Sequence, residues 1–194
     1  MPGSRPDRPR RADFERNLTR IIEAATEVLA EDPTANMTEI ARASGLVRAT
    51  LYRHFPTRED LLIAICRDAL ERTAQAIIEA EPEHGSAPAG LARVIAALGI
   101  IGHRYRVISS GAVDIVAEPE LMELAYAAFV PVNALVVRGQ QEGTLRADMS
   151  DRWVVAAIVA LIGEAARAAD RGDLERADMA EHVRRMVLEP LVVG

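Results

Sequence analysis

The chain contains no lysine and a single cysteine, and the cysteine shortage excludes two classes of protein. All 23 of its basic residues are arginines. With Cys66 alone, no internal disulfide can form, and the paired cysteines of a structural zinc site are missing. A disulfide-stabilised secreted domain is therefore excluded, and we expect a cytoplasmic protein.

Long hydrophobic runs are also missing, although 49% of the residues are hydrophobic. The longest unbroken run, Trp153 to Gly163, is too short for a bilayer, which takes about 20 residues. The basic residues 1–11 are followed by no apolar core, so they are not a secretory signal. We expect a soluble protein with no membrane partner.

The motifs of common enzyme classes are absent. The sequence has no glycine-rich phosphate loop, no His-Glu-x-x-His and no Gly-x-Ser-x-Gly turn. Cys66 lies within an apolar helical pattern, which favours a small core residue over a nucleophile. We predict neither a cofactor nor a metal, and the alternative from another class is a helical enzyme.

The net charge of −6 argues at first against a nucleic-acid partner. The charge is unevenly distributed, because the first sixty residues carry ten arginines and ten acidic residues, so the whole excess lies in the remainder. Exposed charges more than about 8 to 10 Å away are largely screened in physiological salt. An acidic body is therefore compatible with a DNA-binding amino-terminal part.

The periodicity of apolar residues is helical throughout, which predicts an all-α fold. The first helix covers residues 13–30 and ends at Asp32-Pro33, because proline disfavours helical geometry in the residue before it. Asn36 with Glu39, and Thr57 with Asp60, are typical capping boxes. Further helices are expected over residues 57–80, 88–105, 110–117, 119–139, 151–169 and 174–188, with a break and possible domain boundary at 82–86.

The segment from Thr38 to Leu62 has the pattern of a helix-turn-helix. Gly45 supplies the positive φ of a tight turn, and Ala41 is small where the two helices cross. An apolar cluster of Ile40, Leu46 and Leu51 holds the two helices at a fixed angle. Packing does not require the polar residues of the second helix, which favours a surface that reads DNA.

Residues from about 21 to 62 resemble the DNA-binding domain of the TetR family of transcriptional repressors. The resemblance rests on Ile40-Ala41, Gly45, the block Thr50 to Phe55, and Pro56 to Leu61. It implies an amino-terminal three-helix DNA-binding domain and a carboxyl-terminal helical domain for ligand binding and dimerisation. We accordingly divide the chain into a disordered basic tail over 1–12, a DNA-binding domain over 13–60 and an effector and dimerisation domain over 61–194.

The resemblance also implies which residues contact DNA. The candidates are Thr38, Arg48, Ala49, Thr50, Tyr52, His54 and Arg58. Arg48, Ala49 and Thr50 are expected at base edges, since arginine pairs with guanine and a small apolar group meets a thymine methyl. Tyr52 and His54 are expected to contact phosphates. Thr38 at the start of the second helix and Arg58 at the start of the fourth are expected to do the same.

One position departs from the family pattern. Val47 stands where a serine often caps the recognition helix, and valine has no side-chain acceptor. About 1 kcal/mol of capping is then missing, unless Ser44 compensates from the turn.

A ligand pocket is expected among the later helices, where polar and aromatic residues interrupt apolar stretches. The candidates are His103, Tyr105, Asp114, Met122, Tyr126, Phe129, Trp153 and Glu164. For each of them a place in the core or on the surface is the alternative. Pro131 removes a hydrogen bond to the carbonyl of Ala127 and is expected to kink its helix.

The last two helices are expected to form a dimer. The stretch from Trp153 to Gly163 is apolar on every face, so its own domain covers one side and something else must cover the other. The resemblance to the TetR family implies that a second copy of the chain does so, in a two-fold dimer. The candidate interface residues are Ala156, Ala160, Gly163, Arg167, Met179, Val183, Met186 and Val187.

The sequence therefore predicts a ligand-responsive transcriptional repressor. It would bind a pseudo-palindromic double-stranded DNA operator as a homodimer and be released by a small-molecule effector. The alternative is a DNA-binding dimer whose body has no effector. A ligand pocket in the body distinguishes the two.

Overall fold

The computed structural model describes residues 8–104 and 117–193, and these residues are almost entirely helical. The all-α prediction is confirmed, since their only β-type pairing is an isolated bridge between Leu145 and Val192. The expected helix over 110–117 lies outside the described residues except at its last position. The elements are α1 (Arg8–Glu31), α2 (Met37–Ala43), α3 (Arg48–His54), α4 (Arg58–Glu79), α5 (Ala87–Arg104), α6 (Pro119–Gln141), α7 (Asp151–Arg171), a short 3-10 helix (Arg176–Asp178) and α8 (Met179–Leu191).

The chain divides into two compact units, Met1–Ile65 and Cys66–Gly194. The division falls inside α4, five residues after the expected boundary at residue 60 and well before the break at 82–86. Cys66 is fully buried, and burial raises the pKa of its thiol to about 11. This thiol is thus a core group rather than a nucleophile.

Local capping signals place several helix ends where the sequence predicts them. At the start of α2, Asn36 Oδ1 accepts from the amides of Thr38 and Glu39, and Glu39 Oε2 accepts from the Asn36 amide at 2.7 Å. Before α4, Asp60 Oδ2 accepts from the Thr57 amide at 2.9 Å, and Thr57 Oγ1 accepts from the Asp60 amide at 3.1 Å. Both predicted capping boxes are therefore present.

The first unit is built on large aliphatic side chains from all four of its helices. Ile21 and Leu29 of α1, Ile40 of α2, Leu51 of α3 and Leu61 of α4 are all fully buried. Their helical spacing in the sequence predicted this core, because each occupies the apolar stripe of its helix.

The core of the second unit lies around α5, which packs against α6, α7 and α8. Leu91, Ile95, Val132 and Ile158 are among its most buried side chains. Gly139 is required near the end of α6, since a Cβ there would lie 2.5 Å from a methyl of Leu145. The absence of that side chain lets the loop after α6 fold back onto the helix.

Helix α6 has nearly the extent that the sequence predicts but an unexpected hydropathy. It runs as one α-helix from residue 119 to 141 with Pro131 inside it. Among the described residues, it is also the one helix long and apolar enough to cross a membrane, with mean hydropathy 1.5 over its most apolar window. Core helices pass the same test, and Leu121, Val132 and Leu135 bury one face of α6 in the second unit.

Candidate nucleic-acid interface and ligand cavity

A tight turn over residues 44–47 joins α2 to α3 as the sequence predicts. Gly45 has φ of 66°, a left-handed conformation that suits glycine, and Ala41 is buried. The amide of Leu46 donates to the carbonyl of Ala41 at 3.2 Å. The buried hydroxyl of Ser44 donates to the same carbonyl at 2.9 Å, which completes the end of α2.

Helix α3 starts without a side-chain cap. Val47 occupies the N-cap position with 71% of its surface exposed, and its side chain offers no acceptor to the first amides of the helix. Ser44 does not compensate, because its hydroxyl is bound to Ala41 at the end of α2. The uncapped start is therefore a real feature of this recognition helix.

The exposed face of α3 presents a linked pair of side chains one helical turn apart. Arg48 Nη2 donates to the hydroxyl of Tyr52 at 3.3 Å, and the guanidinium carbon lies 5.2 Å from the centre of the tyrosine ring. This is a hydrogen bond combined with a cation–π contact. Ala49 beside them is exposed, and Thr50 is half-buried. The pair holds a cationic donor group at the outer surface of the helix.

An open groove of about 630 Å³ lies between α3, the start of α2 and the loop before it. Its lining is polar and includes two arginines, and the exposed Thr38 stands at the first turn of α2. The lining residues are Thr34, Asn36, Met37, Thr38, Glu39, Arg48, Tyr52 and Arg58. A groove of this shape and chemistry can take an anionic strand such as a phosphate backbone.

His54 lies in protein packing rather than on the exposed face of α3. Its ring stacks on Phe14 of α1 with 4.1 Å between centroids, and neither buried ring nitrogen has a hydrogen-bond partner among the described residues. Burial lowers the pKa of His54, and the charge of Arg53 lowers it further. The lowered pKa favours the neutral form of this packed ring, which does not fit the phosphate contact that the sequence predicts.

Arg58 is engaged with the main chain of its own unit. Its Nη2 donates to the carbonyl of Pro33 at 2.7 Å, and its Nη1 donates to the carbonyl of Ala35. The sequence led us to expect this side chain at the DNA backbone. Nothing in the local pattern around residue 58 indicates the loop contact, because the partners lie 23 and 25 residues earlier.

The second unit contains an apolar cavity of about 270 Å³. Residues of α4, α5, α6 and α7 line it, with Phe129 as its aromatic wall. The lining residues are Leu70, Thr73, Leu98, Ile101, Gly102, Phe129, Val159, Ala160, Ile162, Gly163 and Arg167. Most are aliphatic, and aliphatic residues interrupt no apolar stretch, so the sequence does not distinguish them from ordinary core.

Of the five expected pocket residues whose side chains the structure describes, Phe129 alone is among the residues that line this cavity. Tyr126 and Trp153 are 70% and 64% exposed, and Met122 is half-buried outside the lining. Glu164 is exposed and paired with arginines 167 and 171 of its own helix. The structure does not describe the side chains of the other three expected residues: His103, Tyr105 and Asp114.

The residues expected at a dimer interface fall into two groups. Ala156, Ala160, Arg167 and Met186 are exposed, and Gly163 is half-buried. The other three are buried within the second unit, where α8 packs against α5 and α7, and their burial therefore needs no second copy: Met179, Val183 and Val187.

Helix α7 is covered on one side only. Its residues Val154 and Ile158 are buried, whereas Trp153 is 64% and Val159 is 40% exposed. The described part of the protomer leaves an apolar stripe on α7 uncovered, as the sequence predicts.

Comparison with known proteins agrees with this geometry. Residues 21–65 match the family model described as bacterial regulatory proteins, tetR family. The HTH-type transcriptional repressor LfrR of Mycolicibacterium smegmatis (strain ATCC 700084 / mc(2)155) is 42% identical over 81 residues. That alignment spans 42% of this chain and only 43% of LfrR.

Solved structures extend the likeness to nearly the whole chain. The TetR-like regulator LfrR from Mycobacterium smegmatis in complex with proflavine has a TM-score of 0.75 at 27% identity, covering 92% of this chain and 99% of that one. FadR from Bacillus subtilis in complex with stearoyl-CoA has a TM-score of 0.71 at 20% identity, covering 88% and 97%, and shows the fold alone. The helix-turn-helix and the match over residues 21–65 identify this part of the chain as a DNA-binding domain of the tetR family of bacterial regulatory proteins, and nearly the whole chain shares the fold of a TetR-like regulator.

Proposed function

We propose that the protein is a ligand-responsive transcriptional repressor that acts in the cytoplasm. It binds a pseudo-palindromic operator as a homodimer and leaves it when a small-molecule effector binds. The observation that carries the proposal is the outer face of α3, where Arg48 and Tyr52 are linked above an open polar groove.

The chemistry of this face fits a major groove. Arginine pairs bidentately with guanine, and the exposed methyl of Ala49 suits a thymine methyl. Tyr52 fixes the direction of the Arg48 side chain before DNA binds, which lowers the conformational entropy lost on binding. The exposed Thr38 at the start of α2 contacts a phosphate, and this contact sets the register of α3 on the DNA.

The cavity in the second unit supports an effector. A volume of about 270 Å³ lined mainly by aliphatic side chains and Phe129 fits a compact apolar molecule. LfrR, which shares the fold, was solved with proflavine. Dimerisation alone does not require such a cavity in the second unit. The cavity therefore favours a repressor with a small-molecule effector over a DNA-binding dimer without an effector.

The uncovered stripe on α7 supports a homodimer. Ala156 and Ala160 are small and exposed on successive turns, which permits close approach of a second α7. A two-fold axis through this stripe relates two copies of α3, and the operator half-sites then share that symmetry.

Binding of the purified protein to the DNA that flanks its own gene tests the proposal, with fluorescence anisotropy as the measurement. Arg48→Ala and Tyr52→Ala are each expected to weaken specific binding, and a lost base contact costs about 1 to 3 kcal/mol. The control is Arg146→Ala, which removes an exposed arginine paired with Asp148 in the second unit.

The two substitutions on α3 are expected to be non-additive, since the residues contact each other. Unchanged affinity in both variants would refute the assignment of this face. An equal loss in Arg146→Ala would show a general charge effect instead.

A further inference from the structure

We propose that Arg58 is a positioning residue: it ties the first turn of α4 to the loop before α2, and so sets the amino end of α2 for DNA without contacting a phosphate itself. The DNA part of this inference rests on the proposed function. The positioning part is a property of the free protein.

The Arg58 side chain joins two segments that are distant in the sequence. Its two terminal nitrogens donate to the carbonyls of Pro33 and Ala35, and the side chain is half-buried. Hydrogen bonds from a charged donor are about twice as strong as neutral ones. The planar fork of arginine reaches both carbonyls at once, which a single lysine ammonium does not reproduce.

The loop that receives these bonds is itself ordered by hydrogen bonds. Asp32 Oδ1 accepts from the amide of Thr34 at 2.8 Å and from its hydroxyl at 2.6 Å. These bonds, with the nearby charge of Arg58, lower the pKa of Asp32. The amide of Ala35 donates to the carbonyl of Asp32 at 3.1 Å. The loop is thus a turn closed at one end by Asp32 and at the other by Arg58.

The start of α2 follows directly from this turn. Asn36 comes after Ala35, caps α2 and accepts from the amides of Thr38 and Glu39 at 2.9 and 3.2 Å. A displacement of the Ala35 carbonyl therefore moves the cap and the first turn of α2. That turn carries Thr38, which lines the polar groove.

The start of α4, from which Arg58 reaches the loop, is also held by hydrogen bonds. Arg58 is the first residue of α4, and the capping box of Thr57 and Asp60 holds the main chain on both sides of it. A tilt of the start of α4 moves the Arg58 guanidinium with it. The same two hydrogen bonds then pass this movement to the loop and to α2. Arg58 in this way couples the position of the start of α4 to the position of the amino end of α2.

Amide hydrogen exchange on the free protein tests the positioning part without any DNA or effector. In Arg58→Lys and Arg58→Gln we expect the amides of Ala35, Thr38 and Glu39 to exchange about tenfold faster. The amides of Leu51 and Phe55 in and after α3 should stay unchanged, which shows that the unit remains folded. Glu59→Gln is the control, since it alters an exposed side chain in the same first turn of α4 and leaves the two hydrogen bonds of Arg58 to the loop in place.

The DNA part is tested by the salt dependence of binding to the DNA that flanks the gene. A positioning role predicts weaker binding in both variants with the slope of log K against log salt unchanged. A phosphate contact predicts instead that Arg58→Lys binds normally and that Arg58→Gln lowers the slope by about 1.

The second pattern, or unchanged exchange in both variants, would overturn the inference. If even the unaltered protein fails to bind this DNA, the proposed function fails at that point, whereas the exchange result still decides whether Arg58 orders the loop.

Discussion

The ring of His54 at the end of α3 stacks on the ring of Phe14 in α1, with 4.1 Å between centroids and 31° between planes. Both nitrogens of the histidine are buried without a hydrogen-bond partner in the part of the chain that the structure describes. A protonated imidazole needs solvent or an acceptor at each nitrogen, so this contact holds only while His54 is neutral.

The stability of the first unit is therefore expected to depend on pH. Burial lowers the pKa of His54 in the folded protein below the ordinary value of 6.5. The unfolded chain then binds a proton more readily than the folded one. Stability should be complete above pH 6.5 and fall as the pH drops from there toward the lowered pKa. Urea unfolding followed by circular dichroism between pH 7.5 and 5.5 measures the change.

His54→Phe keeps a ring against Phe14 and should remove this part of the pH dependence. The control is His84→Gln, because His84 is exposed in the loop after α4 and should leave the dependence intact. A pH dependence that persists unchanged in His54→Phe would contradict the interpretation.

The uncapped start of α3 gives a stabilising substitution. Val47→Ser supplies an acceptor to the first amides of the helix and is expected to stabilise it by about 1 kcal/mol. Slower exchange of the Thr50 and Leu51 amides measures the gain. Val47→Ala removes the exposed apolar surface without adding an acceptor and should show no such slowing. Equal slowing in both variants would mean that capping is not the cause.

The exposed stripe on α7 predicts where a second copy binds. Ala156→Glu places a carboxylate in the middle of the stripe, and an unpaired buried charge is strongly unfavourable, so the variant should be monomeric. Sedimentation equilibrium measures the change, and the emission of the single tryptophan, Trp153, should shift to the red. Ala127→Glu alters an exposed alanine on α6 and should leave the dimer intact. The reverse result would assign the interface to α6.

The cavity predicts a difference between two aromatic residues of α6. Phe129→Ala removes the wall of the cavity and is expected to weaken ligand binding at least tenfold, about 1.4 kcal/mol. Tyr126→Ala removes an exposed ring outside the cavity and should have little effect. The affinities of both variants are measured by titration with planar aromatic dyes that bind the unaltered protein. Proflavine is the first dye tested. A larger loss in Tyr126→Ala would place the ligand elsewhere.

Most of the helices could be predicted because their signals are local. The periodicity of α1 and α4, the cap of Asn36 and the positive φ of Gly45 each depend on residues within one or two turns. The helix-turn-helix and the exposed position of Arg48 follow from the same short-range pattern. The match to the tetR family model covers these residues as well.

The cavity could not be predicted in the same way. Its aliphatic lining residues look like ordinary core in the sequence, because Leu70, Leu98 and Ile162 are themselves buried side chains on apolar helix faces. Packing between helices leaves the space, and no single helix encodes it.

The sequence alone thus determined the helices, the helix-turn-helix and the missing cap at Val47. The tertiary structure alone decided that His54 stacks on Phe14 and that Arg58 binds the carbonyls of Pro33 and Ala35. Helical periodicity indicates which side of a helix is polar. The contacts of each side chain depend on folding, because their partners come from segments more than twenty residues away in the chain.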